Sequence, residues 1–209
     1  MIKYLGIHID NKLSFRKHIQ EKCGSANKIL NLLRRNLHFA PKSVKAKAYQ
    51  SCVRPILEYA QTCWSPSSEK LKKDIEKVQH KAAKFVTNTY PKKGKYEEFS
   101  VSRLINNLQW ETLEKRRNNA KMIMTYKILN NKVIISPSTL PKENNVRLSR
   151  KCNEPTVGRK WQLTEPHSNI LASGNTFFYL APKLWNENVT PEQAESPSVD
   201  AFKRKFDKP

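Results

Sequence analysis

Asp10, Glu58 and Asp74 are the carboxylates whose spacing invites a catalytic reading. A two-metal centre for hydrolysis or nucleotidyl transfer needs acidic side chains that converge on divalent cations. This chain has only four Asp, at 10, 74, 200 and 207, and none stands beside another acidic residue. A nuclease site built on a mixed sheet would need several strands between the first two positions, where the pattern here is helical. The five histidines, at 8, 18, 38, 80 and 167, are scattered and read as packing or surface residues. No P-loop, GxSxG or HExxH pattern occurs. No catalytic residue and no metal ligand is assigned, and the chain on its own is not expected to be an enzyme.

Cys23, Cys52, Cys63 and Cys152 form no CxxC pair and precede no paired histidines at zinc-finger spacing. The first three fall at helical spacing among apolar residues and are expected to be buried free thiols.

Binding chemistry is better represented. Lys70, Lys73, Lys77, Lys81 and Lys84 recur at steps of three and four, which places all five along one side of a helix. Like charges at this spacing repel one another, and an opposing polyanion removes that cost. Glu69, Asp74 and Glu76 offset part of the charge, so a solvated face is the plain alternative. Arg34 and Arg35, Lys92, Lys93 and Lys95, and Lys115, Arg116 and Arg117 with Lys121 are further candidates. Tyr90 and Tyr96 beside the basic loop at 91–97 can stack on unpaired bases or anchor that loop. The whole chain carries 39 Lys or Arg against 18 Asp or Glu, a net charge of +21 over 209 residues. Such an excess attracts polyanions, and nucleic acid is the expected partner.

The elements that would position these residues are mainly α-helical. A strand is expected from Tyr4 to Ile9, with Gly6 inside it and a turn at Asp10 and Asn11. Phe15, Ile19, Cys23, Ala26, Leu30, Leu33 and Leu37 then form one helical stripe, its start capped by Ser14. After Pro41 a second helix fits 42–64, with Val44, Ala48, Cys52, Ile56, Tyr59 and Cys63 inward and a kink at Pro55. A third, capped by Ser67 or Ser68, fits 69–87, with Leu71, Ile75, Val78, Ala82 and Phe85 inward. A short helix and turn follow at SVSRLINNLQW, then a longer helix over about 111–131. Residues 132–173 read as a linker or a few short strands. Residues 174–209 hold an aromatic cluster, Phe177, Phe178, Tyr179, Leu180, Leu184 and Trp185, and a last basic helix capped by Ser198. No signal peptide is apparent, and no apolar run reaches the roughly 20 residues that cross a bilayer. The chain reads as intracellular, and Lys203-Arg204-Lys205 is a weak nuclear-import-like cluster.

Six stretches, in order, carry a family resemblance. KYLGIHIDNKLSFRKHI and CVRPILEYAQTCWSP are followed by IEKVQHKAAKFVTNTY, by LQWETLEKRR with MIMTYKILN, by FFYLAPKLWNENV and by SPSVDAFK. Together they resemble the part that follows the catalytic palm in reverse transcriptases of non-LTR (LINE-type) retrotransposons, jockey-like elements especially. The resemblance implies that Tyr4, Leu5 and Gly6 end the last palm strand. It implies a thumb-like bundle of basic helices at about 15–90, within a helical region at 11–131, that holds a primer–template duplex. The family's aromatic–Ala–Asp–Asp turn and its further metal-binding Asp have no counterpart in this sequence, so magnesium belongs to the intact parent polymerase. The resulting expectation is a truncated, non-catalytic fragment with residual phosphate-directed affinity for RNA or DNA. Alternatives are a protein-interaction or structural helical module, and a decayed element with no selected role.

Overall fold

The computed structural model describes residues 1–66, 68–90, 101–136, 162–166 and 176–206. The expected lysines 92, 93 and 95, Tyr96 and Cys152 lie outside these residues, as does most of the stretch 132–173. The chain is mainly α-helical, with a short two-stranded sheet at its N-terminus, and it divides into two compact units. Unit 1 holds Met1–Gln61 and Ser65–Arg117, and unit 2 holds Thr62–Trp64 and Asn118–Pro209.

The single N-terminal strand expected at 4–9 is two strands. β1 (Ile2–Tyr4) and β2 (Ile7–Ile9) pair antiparallel, with Ile2 opposite Ile9 and Tyr4 opposite Ile7. Leu5 and Gly6 make the two-residue turn, both at positive φ (45° and 77°). That turn geometry matches the right-handed twist of the strands it joins, and Gly6 adopts it without steric cost. Tyr4, Leu5 and Gly6 thus enter a hairpin corner, not the interior of a strand. The Tyr59 hydroxyl donates to the Leu5 carbonyl at 2.7 Å, holding the less favourable Leu5 conformation in place.

α1 (Arg16–Asn36) begins after Phe15, which is left-handed and buried. Ser14 lies one residue before the N-cap Phe15, and its hydroxyl accepts from the Arg16 amide at 3.4 Å. The same hydroxyl is drawn back to Asp10, whose carboxylate also accepts from the Lys12 and Ser14 amides. α1 lies along α4 (Glu69–Thr87). Ile19, Ala26 and Leu30 are buried from the one, and Leu71, Ile75, Val78, Ala82 and Phe85 from the other. α4 has the boundaries its periodicity predicts. Ser68 accepts from the Leu71 amide, and Asn88 ends the helix in a left-handed conformation, its amide bonded to the last-turn carbonyls.

The second helix departs from the expected pattern. α2 (Lys42–Ala48) passes into a π turn (Tyr49–Val53) and then α3 (Arg54–Glu58), where the helix stops. Its buried residues are Lys45, Tyr49, Val53 and Leu57, one position away from the expected stripe. Steps of four repeated three times drift by about 120° around an ordinary α-helix of 3.6 residues per turn. The wider π turn absorbs that drift and sits just ahead of Pro55, which lacks a donor for the preceding turn. Cys52 and Cys63, expected inside, are therefore exposed. A buried polar chain fastens the π turn. The Tyr49 hydroxyl donates to Gln79 Oε1 and Gln79 Nε2 to the Glu111 carbonyl, each at 2.8 Å, and Trp110 stacks on Tyr49 at 4.5 Å.

α5 (Val101–Asn107) precedes α6 (Leu113–Leu129). The division between the units falls inside α6, after Arg117. In unit 2, Met122 and Tyr126 of α6 share a core with Leu163, Trp185, Val189 and Phe202. α7 (Phe177–Asn188) and α9 (Val199–Arg204) supply Trp185 and Phe202, with the single turn α8 (Pro191–Ala194) between them. Phe202 stacks on Tyr126 at 4.5 Å and on Trp185 at 5.7 Å. Asn186 fixes Leu163 by both its backbone groups, each at 2.9 Å. No described helix is long and apolar enough to cross a membrane.

Candidate nucleic-acid interface

The expected basic residues separate into three groups. The first is spent on internal pairing. Arg116 makes a two-pronged contact with Glu58, Nη2 lying 3.2 Å from Oε2, the bidentate form that suits guanidinium and carboxylate. Arg116 is held above its ordinary pKa chiefly by that hydrogen bond. Arg117 is only 3% exposed, and burial lowers its pKa, with Glu76 and Glu114 opposing. Glu76 in turn is raised by burial. Lys121 is also buried. Arg117 and Lys121 are thus interior residues, and Arg116, partly exposed, is engaged by Glu58.

The second group is the N-terminal half of the α4 lysine stripe. Lys70, Lys73 and Lys77 are exposed, but Lys77 pairs with Asp74 at 2.8 Å. That hydrogen bond lowers the Asp74 pKa, Lys70 adding a smaller effect. Lys72, on the flank, bridges Glu69 and Glu114 at 2.8 Å each. The acids of unit 1 concentrate here, so the stripe is not uniformly cationic.

The third group lies where the C-terminal ends of α1 and α4 meet α2. Lys81 Nζ reaches Asn27 Oδ1 at 3.3 Å, and Lys84 is partly exposed one turn on. Arg34 and Arg35 are exposed, and the Arg34 guanidinium lies 5.6 Å from the centre of the Tyr90 ring. Between them is an open cleft of about 680 Å³ lined by Asn31, Arg34, Arg35, His38, Phe85, Asn88 and Tyr90. Lys45, 1% exposed, supports its floor. Its ammonium donates to Asn88 Oδ1 at 2.9 Å and lies over the Phe85 ring at 5.4 Å.

Sequence reasoning passed over Lys45, His38, Asn31 and Asn88, although a signal was available. Residues 22–57 contain eight Lys or Arg and no Asp or Glu, and residues 77–90 contain three and none. These are the two stretches that line the cleft. Two helix C-termini contribute roughly half a negative charge each, which offsets about one of the cations at Arg34, Arg35, Lys45 and Lys84. Neither stretch contributes a carboxylate.

The spaced carboxylates are each engaged elsewhere: Asp10 by Ser14, Glu58 by Arg116 and Asp74 by Lys77. Among the described residues no three of His, Cys, Asp and Glu gather as a metal-holding group. No family model, curated protein or solved structure matches the chain.

Proposed function

We propose that unit 1 is a nucleic-acid-binding module that grips phosphates through the face where α1, α2 and the end of α4 meet. The observation that carries this reading is the carboxylate-free run at 22–57 packed against a second one at 77–90. Cations that meet phosphates release condensed counterions and supply affinity without base recognition. The resemblance to the thumb of non-LTR reverse transcriptases fits the same reading, with primer–template RNA and DNA as the ligand. The module contributes binding and leaves phosphoryl transfer to a palm that this sequence does not contain.

The interaction-module alternative keeps only part of the aromatic cluster: Trp185 is buried against Phe202 in the core of unit 2, whereas Phe178 is 40% exposed.

Affinity for single-stranded RNA, RNA–DNA hybrid and duplex DNA, measured across a salt series, tests the proposal. The expected result is binding to all three whose logarithm falls linearly with that of salt, by roughly 4 to 5 on duplex for about five phosphate contacts. No binding to any of the three, together with salt-insensitive association with a protein, would replace it with a protein-interaction reading. Primer extension above a buffer control, with magnesium and nucleotides supplied, would refute the non-catalytic assignment.

A further inference from the structure

We infer that the cleft between the ends of α1 and α4 is a subsite for one unpaired nucleotide, its base stacked at Tyr90 and its phosphate held by Arg34 and Arg35. The inference rests on the nucleic-acid reading above and adds to it a preference for bases free of a duplex.

Three features of a nucleotide find counterparts in one place. Arg34 and Arg35 provide planar donor forks suited to phosphate oxygens, with His38 on the same wall. Tyr90 is 48% exposed, which leaves ring surface for a base while Arg34 stays within cation–π range. Asn31 and Asn88 bring polar edges to the cleft. Asn88 is oriented by more than chance rotation. Its Oδ1 is taken by the Lys45 ammonium, so its Nδ2 is the group left to donate to a ligand. The cleft volume of about 680 Å³ lies in the usual range for small-molecule sites and exceeds what a lone phosphate fills. A base paired within a duplex keeps its faces covered by its neighbours and cannot offer one to Tyr90, so the subsite selects single strands and overhangs.

The test compares three ligands on the full chain, an oligouridine, an abasic oligomer of equal length and charge and a blunt duplex, with uridine monophosphate and inorganic phosphate as competitors. Base stacking on an aromatic side chain, removed by alanine, costs at least about fivefold in affinity. The oligouridine should therefore bind at least about fivefold more tightly than the abasic strand. Tyr90→Ala should abolish that margin, its loss on the oligouridine exceeding any loss on the abasic strand or the duplex, and Tyr90→Phe should retain it. Arg34→Ala should weaken all strands. Uridine monophosphate should compete where inorganic phosphate at the same concentration does not. Equal binding of base-bearing and abasic strands, or equal loss on every ligand in Tyr90→Ala, overturns the subsite while duplex binding leaves the broader reading standing. Failure of every strand to bind overturns both. Circular dichroism of Tyr90→Ala, a change at a half-exposed residue, confirms that the comparison is made on folded protein.

Discussion

Lys45 and Asn88 are 43 positions apart and joined by a 2.9 Å hydrogen bond that ties α2 to the left-handed end of α4. The ammonium is buried and faces an amide oxygen and the Phe85 ring. Removing it while keeping its volume relieves the burial of a charge, whereas removing the stem opens a cavity beside Phe85. Lys45→Met should shift stability by less than about 1 kcal/mol, and Lys45→Ala should cost about 2 kcal/mol or more. Urea denaturation of both variants checks the ordering. A larger loss in the methionine variant would mean that the ammonium itself holds the helix ends together.

Gly24 lies in the middle of α1 on an exposed turn, and a Cβ built there meets nothing within 4 Å. Its only effect is a backbone looser than a helix needs. Gly24→Ala should raise stability by about 1 kcal/mol, read as a higher urea midpoint at unchanged slope. A decrease would mean that the position is crowded.

Cys23 is half-buried, and burial pushes its thiol up to about 11, Asp74 adding to the effect. It stays protonated, and unreactive, at mildly alkaline pH. Cys52 and Cys63 are exposed. An alkylating reagent at pH 8 should label Cys52 and Cys63 in the folded protein and reach Cys23 only after denaturation, as resolved by peptide mass spectrometry. Equal labelling of all three would contradict the placement of Cys23 against α4.

His18 is fully buried in α1. Burial lowers its pKa from 6.5 to about 4, with Lys22 and His8 adding to the effect and Glu21 opposing it. The unfolded chain thus takes up a proton below about pH 6.5 that the fold refuses until about pH 4. His18's contribution is complete above the first value and lost as pH falls toward the second. Stability should drop by about 2 kcal/mol between pH 7.5 and pH 5, and His18→Gln should flatten that part of the profile. Glu76, raised by burial, acts in the opposite sense at lower pH, near the carboxylate range. A wild-type profile flat from pH 7.5 to 5 would exclude a buried neutral imidazole.

Legibility in the sequence differed from element to element for physical reasons. α4 was readable because a one-sided apolar stripe and a serine cap agree, while its stop at Asn88 appears only in the structure. The helix after Pro41 was assigned the wrong inward face. Its apolar residues suit two adjacent stripes, and the choice depends on a π turn that no spacing rule announces. Leu5 and Gly6 hid a hairpin inside an apparent strand, since leucine rarely takes the positive φ such a corner needs. Arg116 and Arg117 looked like a surface doublet. Their partner Glu58 and neighbour Glu76 come from distant elements, and pairing of that kind becomes visible only once the helices are packed. The cleft was partly legible, because its carboxylate-free stretches can be counted, but their apposition cannot.

Salt dependence of affinity for single-stranded RNA, compared between the wild type and the Arg34→Ala, Arg35→Ala double variant, bears most directly on whether the α1–α4 face grips phosphates. Each phosphate contact on a single strand adds about 0.7 to the logarithmic slope, so the double variant should bind more weakly with a slope shallower by about 1.4. Affinity and slope both unchanged in the double variant would contradict the proposed face.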